Sequence, residues 1–287
     1  MVYFSLIITS LIMALLITPG IIVFCKKHKV LSDPQRYKFY RDSKPLLGGI
    51  SIFISAFLPA LMTIFFTSLT LNDLVYNKNE IFKITLSFLF ASFLVLISGI
   101  WADLKYIKGK YHWLFIFVAS IIIHFSGFKF AKLSNPFGEP IEVGSWGILL
   151  TIFWIIIITN IIEILNFIEG FSTIIVLVFS SVLLYGAAEH KEIFVTILIS
   201  TFTGSLIGYL FYNMYPSKII YGKSGVRFLG FMIASIILFA RRKVTTTAIF
   251  IFPSAIIIFF LVLIILSSLE KTLILKNKDI ISTKGKN

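Results

Sequence analysis

Residues 146–165 read WGILLTIFWIIIITNIIEIL, an unbroken apolar run with a single charge, Glu163, near its end. A run of about 20 such residues crosses a hydrocarbon core of roughly 30 Å as a helix. In lipid, only a helix satisfies the backbone N–H and C=O groups of a single spanning segment. Similar runs recur at 3–24, 46–68, 81–101, 112–128, 171–188, 193–213, 226–240 and 245–267. They are apolar all round, without the alternation of a barrel strand. The pattern predicts an all-α polytopic membrane protein of about nine transmembrane helices. It predicts one transmembrane helical domain over 1–268 and a basic tail over 269–287. Composition agrees, because 58% hydrophobic and 14% charged residues leave too little polar surface to coat a soluble domain.

The formal net charge of +13 follows the loops rather than any nucleic-acid-binding pattern, and no nucleic acid is expected as a partner. Lys26, Lys27, Lys29, Arg36, Lys38, Arg41 and Lys44 crowd the connection after the first span. Counting Lys and Arg on alternate sides places the N-terminus outside and the C-terminus in the cytoplasm. Arg241, Arg242 and Lys243 fall on the opposite side under that count. The first run lacks a basic start and a small-residue cleavage site, and so reads as a retained helix. Cys25 is the single cysteine, which excludes an intramolecular disulfide or a thiolate metal cluster. His28, His112, His124 and His190 are scattered, without metal-ligand spacing, and read as packing or interface residues.

Four stretches on the predicted cytoplasmic side break the apolar pattern: 31–50, 99–111, 159–171 and 213–230. Polar groups at membrane depth are costly and face a bundle interior or an aqueous cleft. Four on one face predict a shared site. The first contains Ser32-Asp33-Pro34-Gln35-Arg36-Tyr37-Lys38-Phe39-Tyr40, then Pro45-Leu46-Leu47-Gly48-Gly49. The second is Gly99-Ile100-Trp101-Ala102-Asp103-Leu104. The third is Asn160-Ile161-Ile162-Glu163-Ile164-Leu165-Asn166-Phe167-Ile168-Glu169-Gly170-Phe171. The fourth is Asn213-Met214-Tyr215-Pro216-Ser217-Lys218-Ile219-Ile220-Tyr221-Gly222-Lys223-Ser224-Gly225-Val226.

In this order, the four resemble the motifs of the bacterial polyprenyl-phosphate N-acetylhexosamine-1-phosphate transferases, glycosyltransferase family 4, relatives of phospho-N-acetylmuramoyl-pentapeptide transferase. The family patterns are D-x-P-N-x-R-K-x-H with a following Pro and Gly-Gly, then G-x-x-D-D, N-A-x-N-L-x-D-G-x-D-G-L and N-x-x-P-A-x-x-x-x-G-D-x-G-S. The resemblance covers roughly residues 3–240; the family's His-rich cytoplasmic loop and last helix find no counterpart in the residues beyond. It implies a multi-pass protein of the bacterial cytoplasmic membrane. The implied reaction joins a UDP-N-acetylhexosamine to polyprenyl phosphate, with Mg²⁺ or Mn²⁺ as cofactor, in cell-envelope glycan synthesis.

On that resemblance Asp103, Asn166 and Glu169 stand at catalytic positions, with Asp103 the expected metal ligand. Lys38, Asn160, Glu163, Asn213 and Lys223 stand at substrate-binding positions. The departures bear on the chemistry. Phosphoryl transfer between two anions depends on positioning and charge neutralisation, and Mg²⁺ prefers carboxylate oxygens. Ala102 replaces the first Asp of the second motif, Asn166 an Asp of the third, and Lys223 the metal-binding Asp of the fourth. Tyr40 stands where the first motif has His, and Glu163 where the third has Asn. Lys223 would repel a divalent ion at contact distance.

These changes favour a catalytically impaired or inactive relative. Its groove for a polyprenyl chain would survive, and its cationic cleft floor of Lys38, Lys105, Lys223 and Arg227 would suit a lipid phosphate. Its other expected partners are a catalytic paralogue or a second copy of this chain. The alternative is an active transferase with a displaced metal site on Asp103, Glu163 and Glu169.

Overall fold

Among the described residues, seven helices long and apolar enough to cross a membrane carry the architecture. The computed structural model describes residues 2–32, 43–70, 78–105, 110–129, 132–133, 141–166, 170–190 and 192–239. In chain order the helices are α1 (Val2–Lys27), α2 (Gly48–Thr70), α3 (Lys78–Lys105), α4 (Lys110–Phe125), α5 (Gly147–Leu165), α6 (Phe171–Glu189), α7 (Ile193–Asn213) and α8 (Gly222–Phe239). All but the 16-residue α4 reach spanning length. Between α4 and α5 lie a two-residue antiparallel pair, β1 (Lys132–Leu133) with β2 (Ile141–Glu142), and a 3₁₀ turn. The described residues fall within one compact unit, Met1–Thr246. The expected ninth span at 245–267 and the tail at 269–287 lie outside the described residues.

The helices sort by burial. The apolar window of α8 is 89% buried and that of α7 is 78% buried, against 28% for α1. So α7 and α8 form the centre, and α1 is the least buried of the seven. Helix α7 packs on α1, α2 and α6, while α8 packs on α2, α3 and α5.

Several hydroxyls inside the bundle close on their own helix, which satisfies them where lipid cannot. Thr18 donates to the Ala14 carbonyl, Thr85 to Ile81, Ser120 to Ile116 and Thr159 to Ile155. Lipid supplies no hydrophobic drive between helices, so close approach depends on small residues. Gly204 and Gly208, one turn apart on α7, provide such an approach. A Cβ at either position would collide with the α1 backbone at Ile7 or Leu11.

Candidate functional site

All four motifs meet at the first turn of α8. The chain between α1 and α2 closes on itself and on the chain before α8: within it, Ser32 N–H donates to Lys44 O at 2.8 Å, and Leu46 N–H to Val30 O at 3.1 Å. Ile220 N–H then donates to Pro45 O at 3.0 Å, and Gly48 N–H to Ile220 O at 3.3 Å. Lys44 Nζ also reaches Ser217 Oγ at 3.0 Å. The Pro45–Gly49 part of the first motif is thereby fixed against the fourth.

The second motif is attached through Asp103. Its Oδ1 accepts from the backbone N–H of Lys223 at 2.8 Å, and its Oδ2 from that of Ser224 at 3.0 Å. Both N–H groups lie in the first turn of a helix, where no intrahelical acceptor serves them and a carboxylate is also favoured by the helix dipole. Asp103 is 6% exposed. The approach is possible because Gly222 has φ +64°, and a Cβ there would strike the Asp103 carboxyl. Gly99, one turn earlier on α3, lies against the Ser224 backbone with no room for a side chain.

Asp103 therefore caps α8 from a neighbouring helix. Asp103→Asn, which keeps one acceptor oxygen, should lower stability by less than Asp103→Ala, whose cost is about 1 kcal/mol or more. Thermal unfolding of the two variants in one detergent would check this. Equal losses would contradict the cap.

The third motif enters through Glu163 on α5. Arg227 of α8 grips it with two bonds, Nε to Oε2 at 3.1 Å and Nη2 to Oε1 at 3.3 Å. His112 of α4 stands 3.8 Å from Oε2 through its Nε2. These groups line a cleft of about 350 Å³ with Trp113, Asn160, Ile164 and Lys223. Asn160 donates its Nδ2 to Ile156 O at 2.6 Å. Asn166 ends α5, where its Oδ1 accepts from Ser172 Oγ at 2.9 Å.

The expected site residues thus separate. Asn160, Glu163 and Lys223 line one cleft, and Asp103 lies directly behind its floor, bonded to the Lys223 backbone. Asn213, expected at the substrate, is buried and is not among the residues lining that cleft. Thr173 Oγ1 donates to Asn213 Oδ1 at 2.7 Å, and Asn213 Nδ2 donates to Ile219 O at 3.1 Å. Burial pushes the Tyr221 hydroxyl upward, so it stays protonated and donates to Thr173 at 2.7 Å. Asn213 so braces the loop that leads into α8. Lys38 and Glu169 lie outside the described residues. His112, read from the sequence as an interface residue, is 7% exposed and lines the cleft. Its isolated position in the chain carried no signal of this.

The residues in the cleft do not suit a divalent cation. Both Asp103 oxygens face backbone N–H groups, both Glu163 oxygens face Arg227, and an ammonium-bearing residue replaces the fourth-motif acid. Among the described residues, no three His, Cys, Asp or Glu side chains are grouped to hold one ion.

The comparisons with known proteins agree with the motif order. The model of glycosyl transferase family 4 matches residues 85–241, which include the second, third and fourth motifs. This chain belongs to glycosyl transferase family 4, and its described residues form an apolar helical bundle. Among individual proteins, it is 28% identical over 232 residues to the probable undecaprenyl-phosphate N-acetylglucosaminyl 1-phosphate transferase of Bacillus subtilis. That match covers 80% of this chain and 61% of the relative. It is 30% identical over 111 residues to the phospho-N-acetylmuramoyl-pentapeptide-transferase of Streptococcus mutans, covering 38% of this chain and 32% of that protein. The corresponding Streptococcus pneumoniae protein is 22% identical over 236 residues. The chain therefore spans about three fifths of the length of the Bacillus relative and a third of the S. mutans one.

Proposed function

We propose that this protein is a polyprenyl-phosphate-binding member of the family in which hexosamine-1-phosphate transfer from a UDP-sugar is lost or severely impaired. The observation that carries the proposal is the position of Asp103. It is the family aspartate retained among Ala102, Asp103, Asn166 and Lys223, and both its oxygens are committed to capping α8. A carboxylate held by two backbone donors has little left to offer a cation. With Lys223 and Arg227 at the cleft, the charge that a metal would supply comes from the chain itself. The lipid partner is supported by the similarity to the Bacillus relative, a probable undecaprenyl-phosphate transferase.

The protein would lie in the bacterial cytoplasmic membrane with its N-terminus outside, its cleft towards the cytoplasm and about nine spans. A catalytic paralogue or a second copy of this chain would supply the context in which a non-transferring member acts. Glu163 favours one rival. It stands in the cleft beside Asn160 with its side chain 29% exposed, so an active enzyme would recruit it as a displaced metal ligand.

Lipid binding separates the two. Purified protein in nanodiscs doped with polyprenyl phosphate should retain the lipid phosphate equally in Mg²⁺ and in EDTA, read by native mass spectrometry. Retention that collapses in EDTA would contradict the proposal and favour the displaced metal site.

A further inference from the structure

The cleft holds more donors than the chain uses. Arg227 is 2% exposed, and after its two bonds to Glu163 its Nη1 remains buried with no partner. Neither ring nitrogen of His112 has a hydrogen bond, although both are buried. The His112 to Glu163 separation of 3.8 Å is too long for one. A buried donor left unmade costs about 1–3 kcal/mol, so such groups in a native bundle call for an explanation. Here two of them, from α4 and α8, border one cleft together with Lys223.

Charge points the same way. Arg227 and Lys223 contribute two positive charges to the lining and Glu163 one negative charge, so the lined cleft is cationic. The donors are the planar fork of an arginine, an imidazole and an ammonium, and a group that accepts from all three must be anionic with several oxygens. Phosphate and diphosphate meet this requirement, and arginine binds them by two parallel bonds as it binds a carboxylate. A space of about 350 Å³ accommodates either group.

We propose that Arg227, His112 and Lys223 form a metal-independent phosphate-recognition site in which Glu163 is the resident counter-anion. Glu163 holds the Arg227 fork in the orientation a phosphate needs and competes with the incoming anion for it. The site deepens the non-transferring reading above by naming what binds the phosphate; it requires only the phosphate, whether on a lipid or free.

The test uses the full-length protein in detergent with EDTA, followed by intrinsic-fluorescence thermal unfolding. Inorganic pyrophosphate and a short-chain polyprenyl phosphate are titrated separately, with NaCl at matched ionic strength as control. The wild type should be stabilised by at least one of the two, and which one identifies the source as soluble or lipid. Lys223→Gln should raise the half-saturating concentration about tenfold, the equivalent of about 1.4 kcal/mol. Glu163→Gln should start from a lower melting temperature and yet bind the anion about tenfold more tightly, since the competitor is gone. A merely structural Glu163 would not produce that second effect. Should Glu163→Gln fail to fold, Lys223→Gln decides alone, because its backbone cap is untouched. No stabilisation without a divalent metal, or the same half-saturation in Lys223→Gln as in wild type, would overturn the site. Labelled lipid product in a transfer assay would instead overturn the non-transferring reading and leave an EDTA-resistant shift standing.

Discussion

Replacing Glu163 with alanine is expected to lower the stability of the bundle by about 3 kcal/mol, the lower end of the range for breaking a buried pair. The reason lies in the partner. Arg227 is 2% exposed and rests two of its nitrogens on Glu163, so removing the carboxylate leaves a guanidinium charge inside the bundle without a counter-ion. Partial exposure of the Glu163 side of the pair keeps the loss from the upper end. Arg227→Met should cost less, about 1–2 kcal/mol, because the Glu163 side chain is 29% exposed and can be hydrated in place. The double variant should be at least as stable as Glu163→Ala alone, and a double-mutant cycle measures the coupling directly. Additive losses, read by reversible denaturation in mixed micelles, would show that the pair is not a unit.

A second large effect is expected at Gly99. A Cβ there would strike the backbone of Ser224, and α8 has no direction in which to retreat. On other sides its Gly225 touches Gly49 of α2, and its Gly230 touches Thr159 of α5. Gly99→Val should therefore cost about 3 kcal/mol, the upper end for overpacking, with a further loss of about 1 kcal/mol as Asp103 is pulled from its cap. The control is Gly20→Ala, where a Cβ would meet nothing within 4 Å. That change removes a flexible residue from a helix and should be neutral or stabilising by up to about 1 kcal/mol. Comparable losses at both positions would mean that α3 and α8 are not in backbone contact.

Much of the bundle is legible in the sequence because lipid is a simple solvent. The run at 193–213 coincides with α7, and those at 146–165 and 171–188 agree with α5 and α6 to within a residue. The eighth run fares worse, since α8 starts at Gly222 rather than 226. Its first turn is Gly-Lys-Ser-Gly, polar enough to pass for a loop, and its N–H donors are met by the Asp103 carboxylate of another helix. Hydropathy along one segment has no access to that partner.

The convergence of four polar stretches is legible from their shared side of the membrane, and the structure brings residues of all four to the start of α8. Individual roles are less so. Asp103 reads as a metal ligand and is placed as a cap, because an acid in sequence looks the same in either use. Asn213 reads as a substrate contact and is placed within a buried chain with Thr173 and Tyr221. His112 and Glu163 are near neighbours only in space, so no spacing rule could pair them. Glu163 in place of an Asn of the family pattern is matched in space by Arg227, a partner that sequence spacing does not show.

The most direct test of the central claim is a transfer assay. Purified protein is given polyprenyl phosphate, labelled UDP-N-acetylglucosamine or UDP-N-acetylgalactosamine, and Mg²⁺ or Mn²⁺, beside an active family member in the same detergent. With Asp103 engaged by α8 and Lys223 in place of an acid, no labelled lipid should form while the active relative produces it. Labelled lipid that disappears on adding EDTA would contradict the account, and would mean that the remaining carboxylates still assemble a working metal site.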